Sequence, residues 1–323
     1  MRMRGNLTCA ILAIGLLALS SGGAWSQSGR TIRLIVPANA GASTDFVARL
    51  SADHISRTQG VTVVVENRPG ASGMIGVEAA FRAPPDGNTL LVTANTYLLD
   101  GQTKKANYHP VKDFEPICYL VDTPAQLLVN GESPHRTLAE LFNAARAKPG
   151  ELSLAAVGPG STYHLGMVSL TRKAGVNMTY VPYPGSAPAV TALLGNHVTS
   201  AISGYAVVAS QVKSGKLRAL ATGTAKRIAP EPEVPTLDEL GFKNFVIDNW
   251  FGVVAPAKTP KETLAQLSAW FTAAIEAPES KAKLDAQFLY TGGPCGERFG
   301  AFLQERYDEY GRLASEAGLK RPD

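Results

Sequence analysis

Short apolar runs alternate along this chain with segments whose apolar residues recur at helical spacing. Strands are predicted at Ile32 to Val36, Val61 to Glu66, Thr89 to Thr93, Gln126 to Val129, Leu152 to Val157, Thr179 to Pro182, Val198 to Ile202, Leu217 to Thr222 and Phe251 to Ala255. Helical periodicity runs over Thr44 to Arg57, Leu138 to Lys148, Ser161 to Lys173, Ala187 to Leu194, Lys261 to Glu276 and Glu297 to Glu316. This alternation predicts an α/β fold with mainly parallel sheets. No linker rich in Pro, Gly or Ser divides the chain, and it ends in helices after the Phe251 strand. Such an order suits two interleaved lobes joined by crossover strands, with a ligand held where strand ends and helix starts converge.

The first residues stand apart. Arg2 and Arg4 precede an apolar run from Leu7 to Leu19, and Ala24 and Ser26 fit the small-x-small rule for cleavage before Gln27. The run is shorter than the ~20 apolar residues that span a bilayer, so residues 1–26 are expected to be a secretory signal peptide and the chain to be exported. Cys9 lies at the start of the run, where it is not placed for lipidation. Losing the leader removes two basic residues and no acidic one, which takes the formal net charge from +4 to +2. With no Lys/Arg cluster interleaved with aromatics, the composition offers no footprint for nucleic acid or a lipid surface. Cys118 and Cys295 remain after cleavage; a disulfide and two buried thiols both stay open.

Two loops carry the candidate chemistry. In "IVPANAGASTDF", Ile35 to Phe46, a strand gives way to small residues and then to a helix that Ser43 or Thr44 could cap. Ala40 and Ala42 allow close approach, Asp45 favours the helix dipole, and free amides at a helix start attract an anion. In "GPGSTYHLG" the strand from Leu152 is followed by Gly158, Gly160 and a second capping pair, Ser161 and Thr162. One such loop per lobe could grip a single ligand; each could also be a plain capped turn. Asn95 and Thr96, after the Thr89 strand, are placed for either a ligand or a cap, while Tyr183 and Trp250 could wall the site or serve packing. Neither loop is a Walker A motif, and "GASGMIG" lacks the G-x-G-x-x-G order, so no nucleotide or other cofactor is expected.

The words "IRLIVPANAGASTDFVAR", "VVVENRPGASGMIGVEAAFRAPPDGNTLLV", "HPVKDFEPI", "GPGSTYHL", "VPYPGSAPAVTALLGNHV", "SGKLRALATGTAKR", "PEVPTLDELG" and "NWFGVVAPAKTP", in this order, resemble the Bug family of periplasmic receptors of tripartite tricarboxylate transporters. The resemblance covers essentially the whole chain after the leader. It implies a two-lobed periplasmic binding protein fold of the type II, Venus-flytrap kind, with lobe 1 at 27–125 plus 250–323 and lobe 2 at 126–249. It further implies a small carboxylate ligand held by backbone groups and bridging waters at Ala38 to Asp45, faced by Gly158 to Thr162. The receptor would act as a monomer and deliver its ligand to the transporter's membrane subunits.

Two departures from that family concern specificity. Ala42 stands where relatives favour glycine, which removes cheap access to positive φ. Ser203-Gly204-Tyr205 stands where many relatives carry Asp or Asn, so a partner for a ligand ammonium is missing and a carboxylate without an α-amino group is favoured. A periplasmic sensor would use the same fold. An exported hydrolase is the contrasting class, since Ser161 and His164 are close in sequence. There is, however, no G-x-S-x-G elbow, and the five histidines have no metal-binding spacing such as H-E-x-x-H.

Overall fold

The computed structural model describes residues 29–319, apart from 104–105, 159–160, 225, 244, 246 and 292. The expected leader at 1–26 therefore lies outside the described residues, as does Gly160. The chain opens with β1 (Thr31–Val36), α1 (Ser43–Gln59), β2 (Thr62–Asn67), α2 (Met74–Phe81), β3 (Thr89–Ala94) and α3 (Asn95–Thr103). A long strand, β4 (Phe114–Asn130), leads into α4 (Leu138–Ala147), β5 (Ser153–Val157), α5 (Thr162–Lys173), β6 (Thr179–Tyr183), α6 (Ser186–Leu194), β7 (Ser200–Gly204), α7 (Tyr205–Lys213) and β8 (Leu217–Thr222). The chain returns through β9 (Asp248–Pro256), α8 (Lys261–Glu276), α9 (Pro278–Asp285), the short β10 (Tyr290–Thr291) and α10 (Glu297–Glu316).

These strands form two sheets that share β4. In the first, the order is β2-β1-β3-β9-β4, with β1 parallel to both its neighbours and β9 antiparallel between β3 and β4. β10 adds to the other edge of β4 at Val121 and Asp122. In the second, the order is β6-β5-β7-β4-β8, again with three parallel strands and an antiparallel crossover. β4 changes partners between Pro124, which pairs with Asp248 of β9, and Ala125, which pairs with Gly204 of β7. Prolines belong at such places because they donate nothing to a ladder. Pro116 likewise sits at a register shift.

Both faces of each sheet are covered, which is why the strands read as nearly unbroken apolar runs. Ile32, Leu34 and Val36 pack with Val47 and Ile55 of α1 and Phe271 of α8, while Ile35 packs on the opposite face with Val77 of α2 and Leu98 of α3. The second sheet does the same, with Leu127 against α4 and α5 and Leu128 against α6 and α7. Helix ends follow local chemistry. α1 stops at Gly60, whose φ of 66° is left-handed, and α4 starts with a reciprocal capping box between Thr137 and Glu140.

Several elements differ from the sequence expectation. The strand predicted at Gln126 begins twelve residues earlier, at Phe114, because Pro116 and Pro124 disguise its first half. Helices α2, α3, α7 and α9 add to those that periodicity predicts; α3 follows β3 with no turn residue between them. The open question about the cysteines is answered: Cys118 on β4 and Cys295 before α10 form a disulfide. Trp250 is fully buried, stacked near Tyr119 and edge-on to Phe299 and Phe302, so it belongs to packing and walls no site.

Two outcomes are expected from this architecture. Reducing the disulfide, or replacing both cysteines by serine, should destabilise the fold by about 2–5 kcal/mol, read as a lower melting temperature or denaturant midpoint. Asp122 lies on β4 between β9 and β10, accepts a hydrogen bond from Tyr119 Oη at 3.1 Å, and is pushed up to about 6 by burial, against that hydrogen bond. A carboxyl raised in the folded state binds its proton more readily folded than unfolded. Its penalty is therefore fully present above about pH 6 and relieved as pH falls towards about 4. Asp122→Asn should raise the melting temperature at pH 7.5 and flatten its pH dependence between pH 4 and 6; an unchanged pH profile would refute this assignment.

Candidate functional site

The C-terminal ends of β1, β3, β5, β6 and β7 each feed a helix start, and the expected site residues gather at these ends. The first loop is built around Asp45. Its Oδ2 accepts from the Gly41 N–H at 2.8 Å and from Arg49 Nε at 2.9 Å, and its Oδ1 accepts from Asn67 Nδ2 at 2.9 Å. Asn67 also donates to Ala38 O, tying the loop to β2. Burial raises the Asp45 carboxyl, but the bonds from Arg49, Gly41 and Asn67 and the charge of Arg49 outweigh it, so the group titrates below the usual carboxylate range. Asp45 is only 3 % exposed and thus holds the loop's shape from beneath, with its oxygens engaged by the chain's own donors.

Capping of α1 differs from expectation. Ala42 is the N-cap residue and no side chain caps the helix; neither Ser43 nor Thr44 takes that role. Ala40 and Ser43 are exposed, Ala42 is half-buried and Thr44 is buried. The left-handed residue is Gly41, at φ 85°, whereas Ala42 is extended at φ −69°, ψ 159°. Alanine at 42 therefore fits without strain and leaves the path of the loop unaltered. Beneath the loop, a Cβ on Gly76 would lie 2.8 Å from Arg68 O and 2.9 Å from Pro37 Cα, so the "GASGMIG" word serves close packing.

At the second loop, Ser161 is the cap expected of it. Its Oγ accepts from His164 N at 3.1 Å and donates to Val157 O at 2.8 Å. The hydroxyl proton is thus spent on a carbonyl. His164 meets Ser161 through its backbone; its imidazole lies over the Tyr180 ring at 4.4 Å and is lowered by burial. A nucleophile and base pair needs the imidazole on the hydroxyl, and that geometry is absent here. Tyr183 ends β6 half-buried, and its carbonyl accepts from Gly158 N. Ser203, fully buried, donates to Gly204 O at 3.4 Å.

One residue brings the two sheets' helix starts together, and sequence reasoning did not single it out. Asn249, the second residue of β9, accepts at Oδ1 from Asn95 Nδ2 at 2.7 Å and from Thr162 Oγ1 at 3.1 Å. Its Nδ2 donates to Tyr163 Oη at 2.9 Å. Asn95 is the buried first residue of α3, where Oδ1 also accepts from Thr96 N, while Thr96 itself is exposed. Asn95 and Thr162, expected separately, thus converge on one carboxamide. Away from this convergence, a hollow of about 360 Å³ at the opposite end of the second sheet is lined by Asn130, His135, Glu151 and His197. Among the described residues no three His, Cys, Asp or Glu side chains are grouped to hold a metal.

Residues 47–319 match the family described as the tripartite tricarboxylate transporter family receptor. A Cupriavidus necator protein described as UPF0065 is 35% identical, covering 98% of this chain and 97% of its own length, and the Bordetella pertussis protein BugT is 32% identical, covering 98% and 99%. Among solved structures, a ligand-free TctC solute-binding protein from Polaromonas superposes with a TM-score of 0.83 at 30% identity, over 90% of this chain and all of that one. R. palustris Rpa4515 with adipate gives 0.72 at 30% identity, over 92% and 99%, and MatC from Rhodopseudomonas palustris with bound malate gives 0.68 at 28%, over 88% and 98%. With its paired sheets and the one strand they share, the chain belongs to the tripartite tricarboxylate transporter receptor family, whose members are periplasmic solute-binding proteins and not enzymes.

Proposed function

We propose that this chain captures a small carboxylate between its two lobes and delivers it to the membrane subunits of a tripartite tricarboxylate transporter. The observation that carries the reading is the convergence of Asn95 and Thr162, from helix starts on different sheets, at Asn249. Around it lie small or neutral residues: Ala40, Ala42, Ser43 and Thr44 on the first loop, Ser161 and Thr162 on the second, and Thr96, Tyr183 and Ser203. An anion in such a place is held by oriented amides and hydroxyls, and waters can bridge where direct contact falls short. Asp45 contributes by fixing the loop. The adipate and malate held by two relatives support a carboxylate as the ligand class.

In this reading residues 1–26 export the chain and are removed. The lobes are 27–125 with 250–323, and 126–249, a division supported by the partner change of β4 at Pro124 and Ala125. The protein acts as a monomer that closes because its ligand prefers the closed form.

Thermal-shift screening against mono- and dicarboxylates, adipate and malate included, should raise the melting temperature for at least one acid. Silence across a broad panel would sink the receptor reading. Asp45→Ala strips three donors of a buried acceptor, so it should cost about 1–3 kcal/mol and weaken the best acid at least tenfold by calorimetry. Full affinity in that variant would show the first loop to be idle.

A further inference from the structure

Thr162 has a single hydroxyl proton, and in this structure it goes to Asn249 Oδ1. If Thr162 is to donate to a ligand carboxylate, that proton must first leave Asn249. The same oxygen holds an N–H of Asn95, at the shorter distance of 2.7 Å. The acceptor stands on β9, a strand of the crossover, while its two donors stand on α3, after β3 of the first sheet, and α5, after β5 of the second. The far end of the carboxamide is fixed by its bond to Tyr163 Oη, so Oδ1 stays turned towards both donors. One neutral carbonyl oxygen thus holds donors from both sheets. An ionised acceptor forms hydrogen bonds roughly twice as strong as a neutral one, so a carboxylate can displace it.

We propose that Asn249 is exchanged for the ligand: its Oδ1 holds Thr162 and Asn95 until a carboxylate oxygen takes over those donors. Asn249 then sets affinity as a competitor of the ligand. The exchange also joins binding to closure, because the displaced acceptor is carried by a crossover strand and the donors by the two lobes. This inference rests on the carboxylate reading.

The test is calorimetry on the full mature protein with adipate, malate and the strongest acid of the thermal-shift panel. Asn249→Ala removes the competing acceptor and leaves the backbone pairing of position 249 with Thr123 in place. It should bind the acid about two- to tenfold more tightly, the worth of one ordinary hydrogen bond, while its ligand-free melting temperature falls. A group with a purely structural role would lower both stability and affinity, so weaker or unchanged binding in this variant overturns the exchange. Asn249→Asp keeps the acceptor and adds charge to it; it should bind at least tenfold more weakly, with the deficit shrinking as salt is raised. If the alanine variant does not fold, wild-type affinity in the aspartate variant overturns the exchange instead. A wild-type protein that binds no acid removes the carboxylate reading itself, whereas acid binding without tightening in Asn249→Ala removes only the exchange.

Discussion

The fold depends on one continuous backbone ladder. β4 pairs with β9 and β10 in the first sheet and with β7 and β8 in the second, and nothing separates the two sets but the step from Pro124 to Ala125. Because strand pairing fixes side-chain facing with a period of two, the shared strand sets the register of both sheets at once. Their helix starts are therefore brought to the same end by hydrogen-bonded geometry. Asn249 lies beside this step, opposite Thr123 on β4, which is why one carboxamide can reach donors from both sides.

A site with neutral lining has a physical logic. A fixed arginine would bind any accessible anion strongly, whereas amides and hydroxyls reward only an acceptor that fits their directions. The charges that are present near the first loop are engaged with one another and with the chain's own polar groups. Arg49 is paired with Asp45 and with Asn67 Oδ1, and Arg68 with Glu66, so these cations shape the backbone. Asp45, titrating low, keeps the loop ordered wherever it is ionised and releases that support only as pH falls through its folded value.

Much of this was legible in the sequence where the signal is local. β1 and α1, with their apolar periodicity, lie within two residues of expectation, and the Ser161 cap follows from a hydroxyl placed just before a helix. The family, too, was readable from ordered words such as "GPGSTYHL" and "NWFGVVAPAKTP". What escaped was non-local. Asn249 finds its partners 154 and 87 residues away, and no spacing rule reaches so far. The first half of β4 was hidden by prolines whose missing N–H is harmless only because the ladder shifts there. Ala42 drew attention as a missing glycine, yet the turn places its left-handed residue one position earlier, at Gly41.

The disulfide between Cys118 and Cys295 has a bearing on the order of assembly. It closes a span of 177 residues, and that span contains every strand and helix of the second sheet apart from part of β4 itself. A chain that emerges N-terminus first presents Cys118 long before Cys295. The bond can therefore form only after the whole intervening lobe has emerged, which makes oxidation a late step in assembly. Until then Cys118 waits as a thiol, and the helix that covers it at 0 % exposure in the finished fold, α8, itself emerges only shortly before Cys295.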